Sequence, residues 1–495
     1  MADARKRRLI LLTIAAGTFV SVLDQTGISL ALPLMANEFN ATIPFVQWVA
    51  LGYMLTTGSL LLPAGRLSDM VGRKVVYVAG FCVFVIGAGF AALSPSLIAV
   101  IAFRIVQGAG SAMIQANGMA ILTTTFPAQQ RGRVIGMFMT MVGLGAIMGP
   151  ILAGLVVDSF GWRSVFVASV PLGAVSLVAA VAVLIRDSPS VTGVRQLATR
   201  FDWAGALISG SGLAIFLLVM TNAYRLGWVS PIVVIAMLAS LCLLVSFVYW
   251  ERRTSQPMLE LELFRRPVFA LGTSASFFGF LAGTAVFSMM PFYLQDVLDL
   301  SPRAAGLFIA PAALGFALAG PIAGRLADSL GPRRVEFAGL GMLGVSLIFL
   351  GTLTVDTNAA VVAVAMALQG LGMGVFYTPN TASVLSVVEQ SKYGIATAFL
   401  NMTRNTANVV GIGLAITIVT VTMASKGFEP SLDAVAAGGV GVEAAFTQGL
   451  RIAFLLLGGF IGVSIILTAF KSATHQMTAS AGAVVGDPDT QLSGD

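Results

Sequence analysis

Asp24 and Arg104 are the two residues whose types most directly suggest chemistry. Each stands inside a long apolar run of a chain in which only 10% of residues are charged. Burial disfavours the charged form of a carboxylate and a neighbouring cation favours it, so an acid exposed to both influences can exchange a proton. Arginine keeps its proton under all relevant conditions and would act as a fixed charge beside it. Arg104 also begins a stripe of Gln107, Gly108, Ser111 and Gln115, spaced by three or four residues and therefore on one face of a helix. Blander readings remain open: a permanently protonated, satisfied Asp24, and an Arg104 that merely reaches the interface from a helix end.

A second kind of constellation is a charged knot. Gly65–Lys74 reads Gly-Arg-Leu-Ser-Asp-Met-Val-Gly-Arg-Lys, and Gly324–Arg334 reads Gly-Arg-Leu-Ala-Asp-Ser-Leu-Gly-Pro-Arg-Arg. Gly65, Asp69, Gly72 and Arg73 are thus echoed by Gly324, Asp328, Gly331 and Arg333, with 259 residues between Asp69 and Asp328. Gln107-Gly108-Ala-Gly110 is echoed by Gln369-Gly370-Leu-Gly372 at an offset of 262. Two echoes at nearly one offset indicate two homologous halves arranged as parallel repeats.

The elements that position these residues are membrane helices. Of 495 residues 57% are hydrophobic, and the mean hydropathy is +0.92, too little polar surface for a globule in water. The 54 glycines suit close helix contact. Apolar runs predict fourteen spans, at 9–32, 46–65, 75–94, 97–123, 134–156, 165–185, 203–221, 231–250, 268–294, 303–325, 335–355, 359–385, 394–423 and 449–470. With the N-terminus inside, the inner loops hold most bases, among them Arg66, Arg73, Lys74, Arg131, Arg133, Arg252, Arg253, Arg265, Arg266, Arg325, Arg333, Arg334 and Lys392. The outer loops hold only Arg163, Arg225, Arg303, Lys426 and Arg451. The expected organisation is an all-α polytopic membrane protein. A six-helix bundle spans 1–186, a linker with two inserted helices 187–252, a second six-helix bundle 253–471, and a disordered inner tail 472–495.

Several function classes fall away. Net charge is +6, but the bases lie in short loops rather than one patch, so nucleic acid is not expected. Cys82 and Cys242 each lie in an apolar run and offer neither a disulfide framework nor a metal signature. The single His475 lies in the polar tail, and no phosphate-binding Gly-x-x-x-x-Gly-Lys-[Ser/Thr] loop occurs. Arg5–Arg8 leads into the first apolar run without a cleavage site, as a first spanning helix does. No enzyme activity, cofactor or metal is expected.

The motifs together resemble the major facilitator superfamily, in particular its fourteen-spanner drug:proton antiporter branch. The knot Gly65–Lys74 is similar to the family's loop signature between helices 2 and 3, and Arg104–Gly110 to its helix 4 signature. Gly145-Ala-Ile-Met-Gly-Pro-Ile-Leu-Ala-Gly154 resembles the helix 5 antiporter motif, with Ala153 replacing a usual glycine. Leu23–Pro33 resembles the helix 1 signature of the fourteen-spanner branch; Phe201-Asp-Trp-Ala-Gly205 and Tyr293-Leu-Gln295 also fit it. The resemblance implies proton coupling at Asp24 and Arg104 and a cytoplasmic latch at Asp69. It implies that Gly145, Gly149, Pro150 and Gly154 seal one side of the pathway, although simple helix packing uses the same contacts.

In the second half the expected deep charge is Arg404 alone, within Asn401-Met-Thr-Arg-Asn405, so proton chemistry belongs to the first half. Gln107, Ser111, Gln115, Asn401, Arg404 and Asn405 are the candidates for the substrate pathway, beside apolar surface from Phe277, Phe278, Phe287, Met289 and Met290. The expected partners are a lipophilic cationic or neutral small molecule, protons and the bilayer, with the chain working as a monomer in the inner or plasma membrane and both termini cytoplasmic. One membrane-embedded acid implies poor handling of divalent cations. A dedicated metabolite exporter is the alternative, and a receptor that binds without turnover a third reading.

Overall fold

The computed structural model describes residues 2–41, 43–127, 130–185, 201–254, 257–429, 434–435 and 441–485. Among these the chain is helical throughout, and fourteen helices reach 19 residues or more. Numbered in order they are α1 (Ala2–Gly27), α2 (Trp48–Val71), α3 (Arg73–Ala92), α4 (Leu97–Thr125), α5 (Arg131–Phe160), α6 (Arg163–Val183), α7 (Trp203–Leu226) and α8 (Pro231–Glu251). They continue with α9 (Pro267–Phe292), α10 (Pro302–Leu330), α11 (Pro332–Leu350), α12 (Ala359–Ser386), α13 (Tyr393–Ser425) and α14 (Val442–Val485). Among the described residues, twelve candidate spans are long and apolar enough to cross a membrane. The two helices that fall short are α2, diluted by Thr56, Thr57, Gly58 and Ser59, and the short α11, which carries Arg333, Arg334 and Glu336.

Packing repeats in the order of the chain. α1 lies on α5 and α6, α2 on α4, and α3 on α4 and α6; α9 lies on α13 and α14, α10 on α12, and α11 on α12 and α14. The Gln-Gly-x-Gly echo has a physical reason. A Cβ on Gly108 would meet the Tyr53 carbonyl at 2.7 Å, and one on Gly370 would fall on the carbonyl of Ala312, 259 residues on from Tyr53. Likewise Gly110 faces the Gly80 carbonyl and Gly372 the Gly339 carbonyl. In both halves only glycine permits these backbones to touch.

Two features differ from the sequence expectation. The first span breaks after Gly27 into a 3-10 turn, Ile28–Leu30, and a short helix, Leu32–Glu38, so Asp24 sits in the last turn of α1 rather than mid-way along a continuous helix. The backbone of α14 runs on to Val485, through alanines at 473, 479, 481 and 483, where a disordered tail was expected from 472; residues 486–495 lie outside the described residues. Of the expected linker 187–252, residues 187–200 also lie outside them, while its two inserted helices are described as α7 and α8.

The halves meet through α5 on α10 and α2 on α13, with α4 on α13 and α12 on α5 beside them. These contacts gather at the end of the helices that carries the basic loops. α7 packs on both α2 and α13 and so lies across one seam, with Trp228 donating its indole N–H to Thr417 at 2.9 Å. Asp202 caps α7 by accepting from Gly205 N and also accepts from Trp250 at the far end of α8, which ties the inserted pair together.

Candidate functional site

The site is built from α1, α2, α4 and α6. Asp24 and Arg104 are both 0% exposed and form a 2.7 Å ion pair, Arg104 Nη1 to Asp24 Oδ2. Arg104 Nη1 also donates to Gln107 Oε1 at 2.8 Å, and Nε donates to the Val49 carbonyl at 3.1 Å. Asp24 Oδ1 accepts from Gln107 Nε2 at 3.0 Å and from Ser169 Oγ at 2.7 Å. The guanidinium carbon lies 4.2 Å from the Tyr53 ring centre. A buried charge is tolerable only when paired and bonded in this way.

Further along the stripe of α4 a second hydrogen-bonded chain begins at Tyr53, whose ring lies under Arg104. Tyr53 donates to Ser111 at 2.8 Å, Ser21 and Ser111 share a 2.9 Å bond, and Gln115 Nε2 donates to Ser111 at 2.9 Å. One turn of helix separates each member, and the last reaches the other half: Asn401 Nδ2 donates to the Gln115 carbonyl at 2.9 Å and Thr397 to the Ala116 carbonyl at 2.9 Å. Asp24, Arg104, Gln107, Ser111, Gln115 and Asn401 are therefore brought together in one line. The sequence reading missed Ser169 and Tyr53, since isolated hydroxyls in apolar helices carry no signature; the only hint was their polarity inside predicted spans.

The helix 5 motif packs on α1 around Asp24. A Cβ at Gly149 would clash with Thr26 Oγ1 and approach the Leu23 carbonyl to 2.7 Å, and one at Gly145 would meet the Phe19 carbonyl at 3.0 Å. Gly154 faces Leu30. The motif thus sets the position of the acid from behind. The part of α5 that faces the second half is nearer the basic end: Gly132 lies on Gly324, Gly136 on Gly320, and Thr140 donates to the Ala317 carbonyl.

At that same end Asp69, beyond the apolar stretch of α2, accepts from the backbone N–H of Gly394 at 3.0 Å and of Ile395 at 2.9 Å, the first turn of α13. Arg73 pairs with Asp69 at 3.2 Å and donates to the Gln390 carbonyl at 2.6 Å. Gly65 lets α13 approach, since its Cβ would collide with Ala398. Gly72, at φ 100°, turns the chain from α2 into α3, as Gly331, at φ 84°, does from α10 into α11. Burial pushes the Asp69 carboxyl up to about 6, against the pull of Arg73 and the two amides, so it stays mainly charged above pH 7. The second copy is not a mirror image: Asp328 makes no ion pair among the described residues, and Arg333 lies over Phe337. Asp69→Asn removes charge-assisted bonds worth about 2 kcal/mol together, so the closed end should lose roughly thirtyfold in population. Distance measurements between spin labels at the basic ends of α5 and α10 would register the change, and an unaltered distribution would strip Asp69 of any latch role.

The second half also holds a buried ion pair near its helix ends that the sequence reading did not foresee: Glu336 is 0% exposed and holds Lys471, which donates to Glu336 Oε1 and Oε2 at 2.7 and 2.6 Å and to Asn380 Oδ1 at 2.8 Å. Asn380 in turn donates to Gly272 O and Ser276, so one polar cluster ties α9, α11, α12 and α14 beside a cavity of about 1020 Å³. Lys471→Met leaves Glu336 buried and alone and should destabilise by about 3–5 kcal/mol. Adding Glu336→Gln should restore most of that loss in thermal unfolding, and a double variant no better than the single would refute the coupling. Of the apolar candidates, Met289 and Met290 are buried and Phe278 stacks on Phe460.

The comparisons with known proteins agree with this architecture. The family model described as Major Facilitator Superfamily matches residues 14–412 and 313–485. The riboflavin transporter RibZ of Clostridioides difficile (strain 630) is 30% identical over 410 residues, covering 82% of this chain and 87% of its own. The multidrug resistance protein Stp of Mycobacterium tuberculosis (strain CDC 1551 / Oshkosh) is 28% identical over 430 residues, 87% of this chain and 79% of its own. Among solved structures, the proton:xylose symporter XylE superposes with a TM-score of 0.64 at 15% identity, over 94% of this chain and 96% of that one, a likeness of fold alone. With the repeated packing, the glycine echo and a family match over most of its length, the chain belongs to the major facilitator superfamily and is a multi-pass membrane transporter, not an enzyme.

Proposed function

We propose that the protein is a proton-coupled antiporter with fourteen spans and cytoplasmic termini in the plasma membrane, exporting lipophilic small molecules. The observation that carries this reading is Asp24: a carboxylate sealed from solvent, whose partner Arg104 lies over the Tyr53 ring, while the Tyr53 hydroxyl enters the Ser111–Gln115 chain that reaches Asn401 of the other half. Ionised, it accepts from Arg104, Gln107 and Ser169. A proton on it turns one acceptor into a donor, so at least one of those three bonds must reorganise. Arg104 then keeps Gln107 Oε1 and the Val49 carbonyl, which spares it an unpaired charge while the proton is in transit. Rocking of the halves would carry the protonated centre from one side to the other, the basic end being closed by Asp69, Arg73 and the α5–α10 glycines in the conformation described here.

The driving force is adequate. One charge crossing 150 mV yields about 3.5 kcal/mol, enough for a gradient of roughly 300-fold in a neutral compound. Multidrug export is favoured by the similarity to Stp; export of one dedicated metabolite is the second reading, favoured by the similarity to RibZ, which is named for riboflavin. A test uses proteoliposomes with an imposed pH gradient and a panel of fluorescent compounds. Accumulation that collapses with a protonophore is expected, and accumulation indifferent to it would end the antiport reading.

A further inference from the structure

Arg404 lies twelve residues into α13, about 16 Å along the helix from its start. It shares a face with Thr397 and Asn401, seven and three residues before it, and those two bond to α4 of the other half. Arg404 therefore stands one helical turn beyond a contact between the two halves. Among the described residues no carboxylate, carbonyl or ring bonds Arg404, and its Nη1 is buried without a partner. Asp24 gives it no relief, because both oxygens of that carboxylate are used by Arg104, Gln107 and Ser169 within the first half. Glu336 is likewise consumed by Lys471. Arg404, partly buried, is therefore a permanent positive charge without a counter-ion among the described residues. An unpaired arginine at this depth is costly unless an anion accompanies it.

We infer that Arg404 is the docking point for an anionic group of the transported compound, a carboxylate, phosphate or sulfonate on an otherwise apolar body. Asn401, one turn before it and with its Oδ1 buried without a partner, offers an acceptor for a hydroxyl or N–H group elsewhere on such a molecule. This departs from the expectation of a cationic or neutral substrate. It rests on the transporter reading above and adds the substrate's charge class to it. Exchange of a monovalent anion for one inward proton moves two charges per cycle, twice that for a neutral compound.

The test uses the full chain in lipid nanodiscs and three probes with one aromatic body: naphthalene-1-carboxylate, naphthalene-1-carboxamide and 1-naphthylmethylammonium. The carboxylate should bind about tenfold tighter than the amide or more, as a charge-assisted fork allows, and the ammonium weakest. Arg404→Gln should erase that preference, whereas Arg404→Lys should keep part of it, having the charge but not the fork. No carboxylate preference in the wild-type protein, or one retained in Arg404→Gln, overturns the inference. Should Arg404→Gln not fold, the wild-type ranking and the Lys variant decide alone. Protonophore-sensitive transport without any anion preference would sink this site and leave antiport standing; anion preference without proton-driven transport would do the reverse.

Discussion

Replacing Asp24 by Asn is expected to abolish proton-driven accumulation while leaving a folded protein that still exchanges substrate. Asparagine has nearly the same shape, and its carbonyl oxygen can still accept from Gln107 and Ser169 in the place of Oδ1. Its amide nitrogen would face Arg104 Nη1 where a carboxylate oxygen stood, so the 2.7 Å ion pair is lost. Arg104 retains Gln107 Oε1, the Val49 carbonyl and the Tyr53 ring, which limits the cost of its unpaired charge. What no amide can do is take up and release a proton. Driven accumulation should therefore fall from the roughly 300-fold ceiling set by 150 mV to equality across the membrane. Counterflow, in which labelled and unlabelled substrate exchange without net proton movement, should persist. Accumulation retained by the variant would remove Asp24 from its role; loss of both activities would make it a binding or folding residue instead.

The acid, its arginine and the polar stripe of α4 were legible because each is a rare residue type in an apolar sequence and because helical spacing places Arg104, Gln107, Ser111 and Gln115 on one face. The repeat was legible for a similar reason: glycines required for close backbone contact, Gly108 and Gly370 above all, recur at fixed offset. Two things were not. Partners that come from elsewhere in the chain without a distinctive type, such as Ser169 and Tyr53, leave no trace in spacing. Lys471 is 135 residues from Glu336, and each looks like an ordinary charge near a helix end until the fold buries both. The helix 5 motif shows a further limit. Its glycines announce close packing but not against what, and the structure sets Gly145 and Gly149 on α1 instead of on the opposite half.

The glycines that do bring the halves together carry the second large expectation. Gly132 and Gly136 on α5 are one turn apart and lie on Gly324 and Gly320 of α10. A Cβ at Gly136 would fall on the Gly320 carbonyl and 2.7 Å from Pro321 N, and a Cβ at Gly320 would stand 2.7 Å from the Gly136 carbonyl. These obstacles are backbone atoms of two helices, so no rotamer can move aside. Gly136→Val must therefore push α5 and α10 apart at the basic end, which is also where Asp69 holds α13. Conformations of such transporters differ by only a few kcal/mol, and separating two helices packed at van der Waals contact costs at least that much. The closed-end population should fall by more than about tenfold, with the protein resting open at the basic end and turnover reduced in proportion. Spin labels near the basic ends of α5 and α10 should report the longer distance in the variant. Gly341→Ala on α11 is the control, since nothing lies within 4 Å of the added methyl, and it should leave both distance and transport unchanged. A Gly136→Val protein that still closes would show that the α5–α10 seam is not the gate, and that closure depends on the Asp69–α13 contact alone.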